Sequence, residues 1–134
     1  MEQKISKIKD CNLREAISCE KSTSVLEVAK KLRDNEERHI IVTEEGRPIG
    51  LISNTDINNR LVAEEKDPKS TTAEEIMTKK ILVKDIEESL AKAYVDMLGN
   101  NIFSCPVTEE GKLKGTLDLK EAMNHLATKI KPQE

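Results

Sequence analysis

The chain contains one short sequence twice, and this duplication constrains the fold more than any other feature. Residues 42–46 read Val-Thr-Glu-Glu-Gly, and the same five letters return at residues 107–111, 65 positions later. At the same offset Gly50 corresponds to Gly115, so the match extends beyond the short sequence itself. Two copies of one small unit predict a pseudo-twofold arrangement, in which a ligand usually binds between the copies.

The first copy predicts a β-α-β-β-α order. Ser24 precedes apolar residues at helical spacing and has Glu27 three positions later, the pattern of a capping box. Gly46 lies between two segments rich in β-branched residues, which indicates a hairpin. The predicted elements are a strand at 16–19, a helix at 24–35, strands at 39–43 and 48–52, and a helix at 53–63.

The second copy repeats this order. Its predicted elements are a strand at 81–83, a helix at 89–98, strands at 102–107 and 113–117, and a helix from 118 to about 127. A short capped helix at 72–77 leads into this copy, and residues 7–13 form the equivalent lead-in to the first. Residues 66–69 are the only stretch with the composition of a linker.

These elements predict an α/β (α+β) fold of two tandem β-α-β-β-α repeats, residues 1–68 with the first lead-in and residues 69–134. A chain of 134 residues is long enough for one shared core and too short for two independent enzymatic domains. Neither half could bury both faces of a three-stranded sheet alone, so we expect the halves to pack sheet to sheet.

Composition makes nucleic acid an unlikely partner and predicts a cytoplasmic protein. The formal charge is -3, and the chain has one Phe, one Tyr and no Trp, so it lacks both a strong positive field and a platform for base stacking. No segment reaches the roughly 18 apolar residues that span a bilayer, and the N-terminus has no signal-peptide core. We therefore expect no membrane partner.

The cysteines and histidines give no spacing typical of a metal site. The number of cysteines is odd, and none of them form a CxxC pair: Cys11, Cys19 and Cys105. The two histidines, His39 and His125, are distant from the cysteines in sequence. The sequence therefore predicts neither a zinc site nor a disulfide framework. Cys19 and Cys105 fall in predicted strands and are interpreted as core residues. No nucleophile–base pair, P-loop or paired carboxylates indicate catalysis, so the sequence predicts no enzyme and no catalytic residue.

Ser53 and Asp56 lie where the third strand of the first copy meets its second helix. The Ser53 hydroxyl and the free amides of the first helical turn would form an anion site, and the Asp56 carboxylate suits the paired hydroxyls of a ribose. The same two residues also match a plain capping box. In the second copy Asp118 and Glu121 occupy these positions, and a carboxylate there would repel phosphate, so we expect one competent nucleotide site.

Residues 50–57, Gly-Leu-Ile-Ser-Asn-Thr-Asp-Ile, resemble the signature of cystathionine-β-synthase (CBS) domains. The resemblance covers essentially the whole chain, including the lead-in at 75–78 and the strand at 105–107. It implies a stand-alone CBS pair, called a Bateman module, that acts as a regulatory ligand-binding module. The resemblance further implies an adenine nucleotide (AMP, ADP or ATP) as ligand, sometimes S-adenosylmethionine, and usually a homodimer.

The resemblance also implies which residues line the sites. The competent site would comprise Leu51, Ser53, Thr55, Asp56, Ile81, Leu82, Phe103, Ser104, Pro106 and Lys120. A degenerate second site would comprise Ile17, Cys19, Arg38, His39, Ile41, Asp118 and Glu121. Lys120 is equally well interpreted as a solvated surface lysine, and Arg38 with His39 would partly offset the acidic pair.

Two classes of function follow. In the first, a nucleotide or another adenosyl ligand binds the repeats and changes the surface offered to an unknown partner protein, with no further cofactor required. In the second, the repeats form a ligand-independent dimerisation or assembly module, with the helices at 24–35 and 53–63 and their copies as the dimer face. A nucleotide hydrolase is a weaker third alternative.

Overall fold

The computed structural model describes residues 5–129 and divides them into two compact units. The repeat-one unit spans Ala16–Ile81, and the repeat-two unit combines the described residues up to Glu15 with those from Leu82 onward. The division predicted from the repeats, 1–68 and 69–134, assigns each lead-in to the copy that follows it in sequence. The compact units instead group each lead-in with the other copy.

The repeat-one unit has the predicted β-α-β-β-α order. Its elements are β1 (Ser18–Glu20), α1 (Val25–Asn35), β2 (His39–Glu44), β3 (Arg47–Ser53), α2 (Asn54–Ile57), which continues as a π-helical turn over Asn58–Val62, and α3 (Ala73–Ile76). In its sheet, β2 is central, parallel to β1 and antiparallel to β3. The first strand lies about two residues later than expected, because its pairing with β2 begins at Ser18 and ends at Glu20.

The repeat-two unit repeats the topology. Its elements are a 3-10 turn (Ile8–Asp10), β4 (Lys84–Asp85), α4 (Leu90–Gly99), β5 (Ser104–Glu109), β6 (Lys112–Asp118) and α5 (Leu119–Lys129). The strand predicted at 81–83 is wrong. The apolar residues there lie outside the sheet, and the strand is formed instead by Lys84 and Asp85, which pair in parallel with Val107 and Thr108.

The lead-ins dock through the same hydrogen bonds in both units. Ile8 donates its amide to the carbonyl of Glu88 at 3.0 Å, and Ala73, 65 positions after Ile8, donates to Thr23 at 2.8 Å. A second pair follows the same rule, with Leu90 donating to Ser6 and Val25 to Thr71. Docking of a lead-in onto the loop before α1 or α4 is therefore a property of the repeat.

Each unit has its own hydrophobic core, built on the inward residues of its sheet and helices. The core of the repeat-one unit comprises Cys19, Val25, Val28, Leu32, Ile40, Val42, Ile52, Leu61, Ala73, Ile76 and Met77. That of the repeat-two unit comprises Ile8, Leu90, Ala93, Met97, Cys105, Val107, Leu117 and Ala122. The structure confirms the interpretation of Cys19 and Cys105 as buried core residues.

Two glycines allow the lead-ins to cross the last strand of each sheet. A Cβ on Gly115 would lie 2.8 Å from the carbonyl oxygen of Arg14, and a Cβ on Gly50 would lie 2.5 Å from the sulfur of Met77. Beside these glycines the strand and the segment that crosses it exchange backbone hydrogen bonds, Leu51 with Thr78 and Thr116 with Arg14. The end of each lead-in is thus fixed against the strand that carries the candidate site.

The helices of the described region are short. The longest, α1 and α5, have 11 residues each. No helix among residues 5–129 has the length and apolar character needed to cross a membrane.

Candidate functional site

The candidate site of the repeat-one unit is organised by the carboxylate of Asp56. Its Oδ2 accepts hydrogen bonds from the Ser53 amide at 2.9 Å and from the Ser53 hydroxyl at 3.1 Å. The Asp56 amide in turn donates to Ser53 Oγ at 3.2 Å. These bonds form a reciprocal capping box at the start of α2. The capping interpretation of Ser53 and Asp56 is therefore realised in the structure.

The second oxygen of Asp56 faces the end of the lead-in. Oδ1 accepts a hydrogen bond from the Thr78 hydroxyl at 3.1 Å and lies 3.7 Å from Nε of Arg60. Arg60 also donates from Nη1 to the carbonyl of Met77 at 2.9 Å. Asp56, which is only 8% exposed, thus joins the strand end, the helix and the lead-in through one buried carboxylate.

The capping box at Ser53 and Asp56 occupies backbone amides that the predicted anion site would use. The amides of Ser53 and Asp56 are satisfied within the capping box, and the amide of Asn54 donates to the carbonyl of Arg38 at 3.1 Å. Three amides at the beginning of α2 are therefore already bonded. A phosphate at this position would find these three amides occupied.

An open groove adjoins Asp56 in the repeat-one unit. Its volume is about 960 Å³, and its lining residues are Arg60, Ser70, Thr72, Glu74, Glu75, Met77 and Lys79. Glu75 caps α3 by accepting from the amide and hydroxyl of Thr72, and this bonding lowers the pKa of the Glu75 carboxyl. Sequence reasoning missed this groove, because its residues belong mainly to the segment interpreted as a lead-in to the second copy.

The remaining predicted site residues fall in both units. Leu51 and Ile81 are half-buried and Thr55 is exposed, all three in the repeat-one unit. The others belong to the repeat-two unit: Leu82, Phe103, Ser104, Pro106 and Lys120. Phe103 is 70% exposed and Lys120 is exposed, whereas Pro106 is buried. The Ser104 hydroxyl is buried and has no hydrogen-bond partner among the described residues.

The residues of the degenerate site are likewise distributed over both units. The repeat-one unit contains Ile17, Cys19, Arg38, His39 and Ile41, and the repeat-two unit contains Asp118 and Glu121. Asp118 forms an ion pair with Arg14, whose Nε lies 3.3 Å from Oδ2. The negative charge of Asp118 is therefore compensated within its own unit, which the sequence did not predict.

Glu121 instead lies beside two residues that the sequence did not connect with it. One ligand atom each of Cys11, Glu121 and His125 lies within 4.8 Å of the others, and all three residues are half-buried. Burial, followed by the charges of Glu121 and Asp10, raises the pKa of the Cys11 thiol to about 11. The sequence signal for this cluster was the i,i+4 spacing of Glu121 and His125 on a predicted helix. Cys11 could not be connected with them from sequence, because it comes from the distant lead-in.

Comparison with known families finds one domain model that matches both copies of the repeat. The CBS domain model matches residues 8–63 and again residues 73–128, so each match comprises a lead-in and the repeat that follows it. The chain belongs to the CBS domain family. The expectation of a tandem CBS pair is therefore confirmed, together with its mixed α/β fold of two three-stranded sheets.

One curated relative is a much longer protein. The L-aspartate semialdehyde sulfurtransferase of Methanocaldococcus jannaschii is 30% identical over 111 residues, which are 82% of this chain and 21% of that enzyme. The chain thus spans about a fifth of this relative's length.

Two solved CBS structures are similar over nearly their full length. The first is a CBS domain pair in complex with 5′-methylthioadenosine and S-adenosyl-L-methionine, at 25% identity and a TM-score of 0.71, covering 94% of this chain and 99% of that one. The second is Hypoxic Response Protein I with two coordinated zinc ions, at 20% identity and a TM-score of 0.78, covering 90% of this chain and 99% of that one. At 20% identity, the second comparison establishes the shared fold alone.

Proposed function

We propose that this CBS pair is a regulatory module that binds an adenosine-containing ligand and transmits the bound state to a partner protein. The observation that carries the proposal is the similarity to a CBS pair crystallised with 5′-methylthioadenosine and S-adenosyl-L-methionine, at 25% identity over 94% of this chain. A ligand acts in this way only through different affinities for two arrangements of the protein, so the response requires a partner or a second copy.

The hydrogen bonds at Ser53 favour an adenosyl thioether or sulfonium, neither of which contains phosphate, over a polyphosphate. Ser53 and Asp56 satisfy each other, and the amide of Asn54 is bonded to Arg38. Few donors therefore remain at the start of α2 for phosphate oxygens, and the Arg60 guanidinium is already engaged by the Asp56 carboxylate and the Met77 carbonyl. The AMP, ADP and ATP class remains the alternative ligand of the same module.

Isothermal titration of the ligand-free protein with 5′-methylthioadenosine, S-adenosylmethionine, AMP and ATP tests the proposal. We expect saturable binding of 5′-methylthioadenosine or S-adenosylmethionine near one ligand per chain, and weaker binding of ATP. Asp56→Ala should abolish the heat of binding. Because Asp56 also caps α2, a second variant, Thr55→Arg, would obstruct the exposed start of the helix while leaving the capping box intact.

The matched control is Ser22→Arg, which adds the same charge to an exposed turn of the same unit. Reduced affinity in Thr55→Arg, with unchanged affinity in Ser22→Arg, supports the proposal. If none of the four ligands produces heat or a thermal shift, the ligand-independent assembly module becomes the better description.

The proposal makes the chain non-catalytic. The chain spans only 21% of the sulfurtransferase it resembles, so the activity of that whole enzyme does not carry over. Incubation with each of the four ligands should return the ligand unchanged in a chromatographic assay. A product whose formation is lost in Asp56→Ala would favour the hydrolase alternative.

We also propose that the module self-associates through helices. Val95 and Leu98 on α4 are 63% and 51% exposed, and Met123 on the adjacent α5 is 47% exposed. Apolar residues exposed together on packed helices are typical of an interface. Val95→Lys combined with Leu98→Glu should reduce the mass measured by light scattering from dimer to monomer, whereas Phe103→Ser, which removes an exposed apolar residue outside the helices, should not.

A further inference from the structure

We propose that Cys11, Glu121 and His125 form a zinc-binding site within the repeat-two unit. Their ligand atoms, the sulfur of Cys11, a carboxylate oxygen of Glu121 and a ring nitrogen of His125, all lie within 4.8 Å of one another. All three residues are half-buried, so the cluster is partly screened from water yet open to an ion from solution. The proposal is independent of the adenosyl ligand.

Separate elements with fixed positions supply the ligands. Glu121 and His125 are four residues apart on α5, which places their side chains on one face of the helix. Cys11 follows the 3-10 turn and donates its amide to the carbonyl of Ile8, whose own amide is bonded to Glu88. The fold therefore brings together residues more than a hundred positions apart in sequence.

An unsatisfied nitrogen in the cluster gives a second reason to expect a ligand. Nε2 of His125 is buried and has no hydrogen-bond partner among the described residues. A buried polar atom without a partner is costly, and an ion from solution can provide that partner. Coordination of a metal ion by the His125 ring would fix the orientation of that ring. If Nε2 is the coordinating atom, it would then have a partner.

The donor set selects zinc over the common hard cations. A thiolate, an imidazole and a carboxylate are the ligands zinc uses in proteins, whereas calcium and magnesium take oxygen ligands almost exclusively. Around a tetrahedral zinc ion, donor atoms lie about 3.5 Å apart, so the three side chains would have to close by no more than roughly an ångström. The fourth position would hold water, and binding would release the Cys11 thiol proton to solvent.

The other repeat provides an internal comparison. At the 65-residue offset, Glu121 corresponds to Asp56 and His125 to Arg60. In the repeat-one unit the acidic residue faces a permanent cation, since Arg60 Nε lies 3.7 Å from the Asp56 carboxylate. A guanidinium does not bind metal. The proposal therefore predicts one metal site per chain, although the fold is duplicated.

Metal titration of the full chain tests the site. Zn²⁺ should bind the chelator-treated protein at one ion per chain by isothermal titration. Co²⁺ should give a thiolate charge-transfer band and the visible absorption of tetrahedral cobalt. Cys11→Ser, Glu121→Gln and His125→Asn should each weaken Zn²⁺ binding by more than about tenfold, since even outer-shell changes cost 10–100-fold, and Cys11→Ser should remove the charge-transfer band.

The matched controls are His39→Asn, which removes the only other histidine, and Asp56→Asn, which alters the equivalent acidic position of the other repeat. Both should retain one Zn²⁺ per chain, and circular dichroism should show that every variant compared is folded. No Zn²⁺ binding, a Co²⁺ band that persists in Cys11→Ser, or equal loss in His39→Asn would each overturn the proposal.

Discussion

Gly115 shows how a single residue sets the position of a whole segment. A Cβ at this position would lie 2.8 Å from the Arg14 carbonyl oxygen and 3.1 Å from Cβ of Leu13. Because the nearest obstacle is backbone, the lead-in itself would have to move. We expect Gly115→Ala to lower the free energy of unfolding by about 1 to 3 kcal/mol, as measured by urea denaturation.

Gly99 provides the control for this prediction. It ends α4, and a Cβ there would meet nothing within 4 Å. Since alanine is favoured over glycine in a helix, Gly99→Ala should leave stability unchanged or raise it by up to about 1 kcal/mol. Equal losses in the two variants would mean that the crossing of the lead-in over Gly115 is not the cause.

The ion pair of Lys84 and Asp96 predicts a pH dependence of stability. The Lys84 ammonium, only 9% exposed, lies 2.6 Å from Oδ2 of Asp96. This hydrogen bond lowers the pKa of Asp96 below its usual 3.8 and raises that of Lys84 above its usual 10.5. The Asp96 contribution is therefore complete above pH 4 and lost as the pH falls below that value, whereas the Lys84 contribution is lost only in strongly alkaline solution.

We accordingly expect the free energy of unfolding to decrease from about pH 4 to pH 2, and to decrease less in Asp96→Asn. Denaturation curves at a series of pH values measure this difference. Glu64→Gln, at an exposed position after the π-helical turn, should keep the wild-type slope. An unchanged slope in Asp96→Asn would show that the pair does not control acid stability.

Among the elements, the two hairpins end in turns of the same geometry. Glu45 and Gly46 have φ of 52° and 81°, and Glu110 and Gly111 have φ of 53° and 82°. Positive φ at both central residues defines a type I′ turn, for which Asn-Gly is the preferred pair. Glu45→Asn should therefore raise the free energy of unfolding by roughly 0.5 kcal/mol.

Thermal or urea denaturation can measure this gain. The same substitution at Glu110 should give a similar increase, because the second turn has the same geometry. Glu64→Asn, at a residue without positive φ, is the control and should give none. A loss of stability at both turns would contradict the argument from turn geometry.

Local patterns explain which elements could be predicted. Helices α1 and α4 follow from apolar spacing and their N-caps, Ser24 and Ser89, and the hairpins follow from a glycine between β-branched segments. Strand β4 could not be placed, because a two-residue strand is defined by its partner, and Lys84 is tolerated there because Asp96 and Glu88 pair with its ammonium group. Capping and ligand binding at Ser53 have the same sequence pattern, so only coordinates could reveal the bonds from Thr78 and Arg60 to Asp56.

At the scale of the molecule, the grouping of lead-ins with the opposite repeat predicts which fragments fold. Ala73 and Ile76 are fully buried in the core of the repeat-one unit, and Met77 is nearly so. A fragment of residues 16–81 keeps them, whereas a fragment of residues 1–68, the repeat as predicted from sequence, loses all three. Burial of Ile76 alone is worth about 2 to 3 kcal/mol.

We therefore expect the 16–81 fragment to unfold cooperatively in urea, and the 1–68 fragment to show a broad transition of low amplitude. Circular dichroism of the two purified fragments makes the comparison. The 16–81 fragment carrying Ile76→Ala serves as the control and should be less stable than its parent. A 1–68 fragment as stable as residues 16–81 would contradict the assignment of the lead-ins.

The discontinuous repeat-two unit has a consequence for biosynthesis. Residues 16–81 are contiguous, so that unit can fold as soon as they have left the ribosome. Ile8 is made before any of them, yet its fully buried side chain belongs to the same core as residues of α4, β5, β6 and α5. The side chain of Ile8 therefore stays without its core partners until the residues after 81 have also been synthesised.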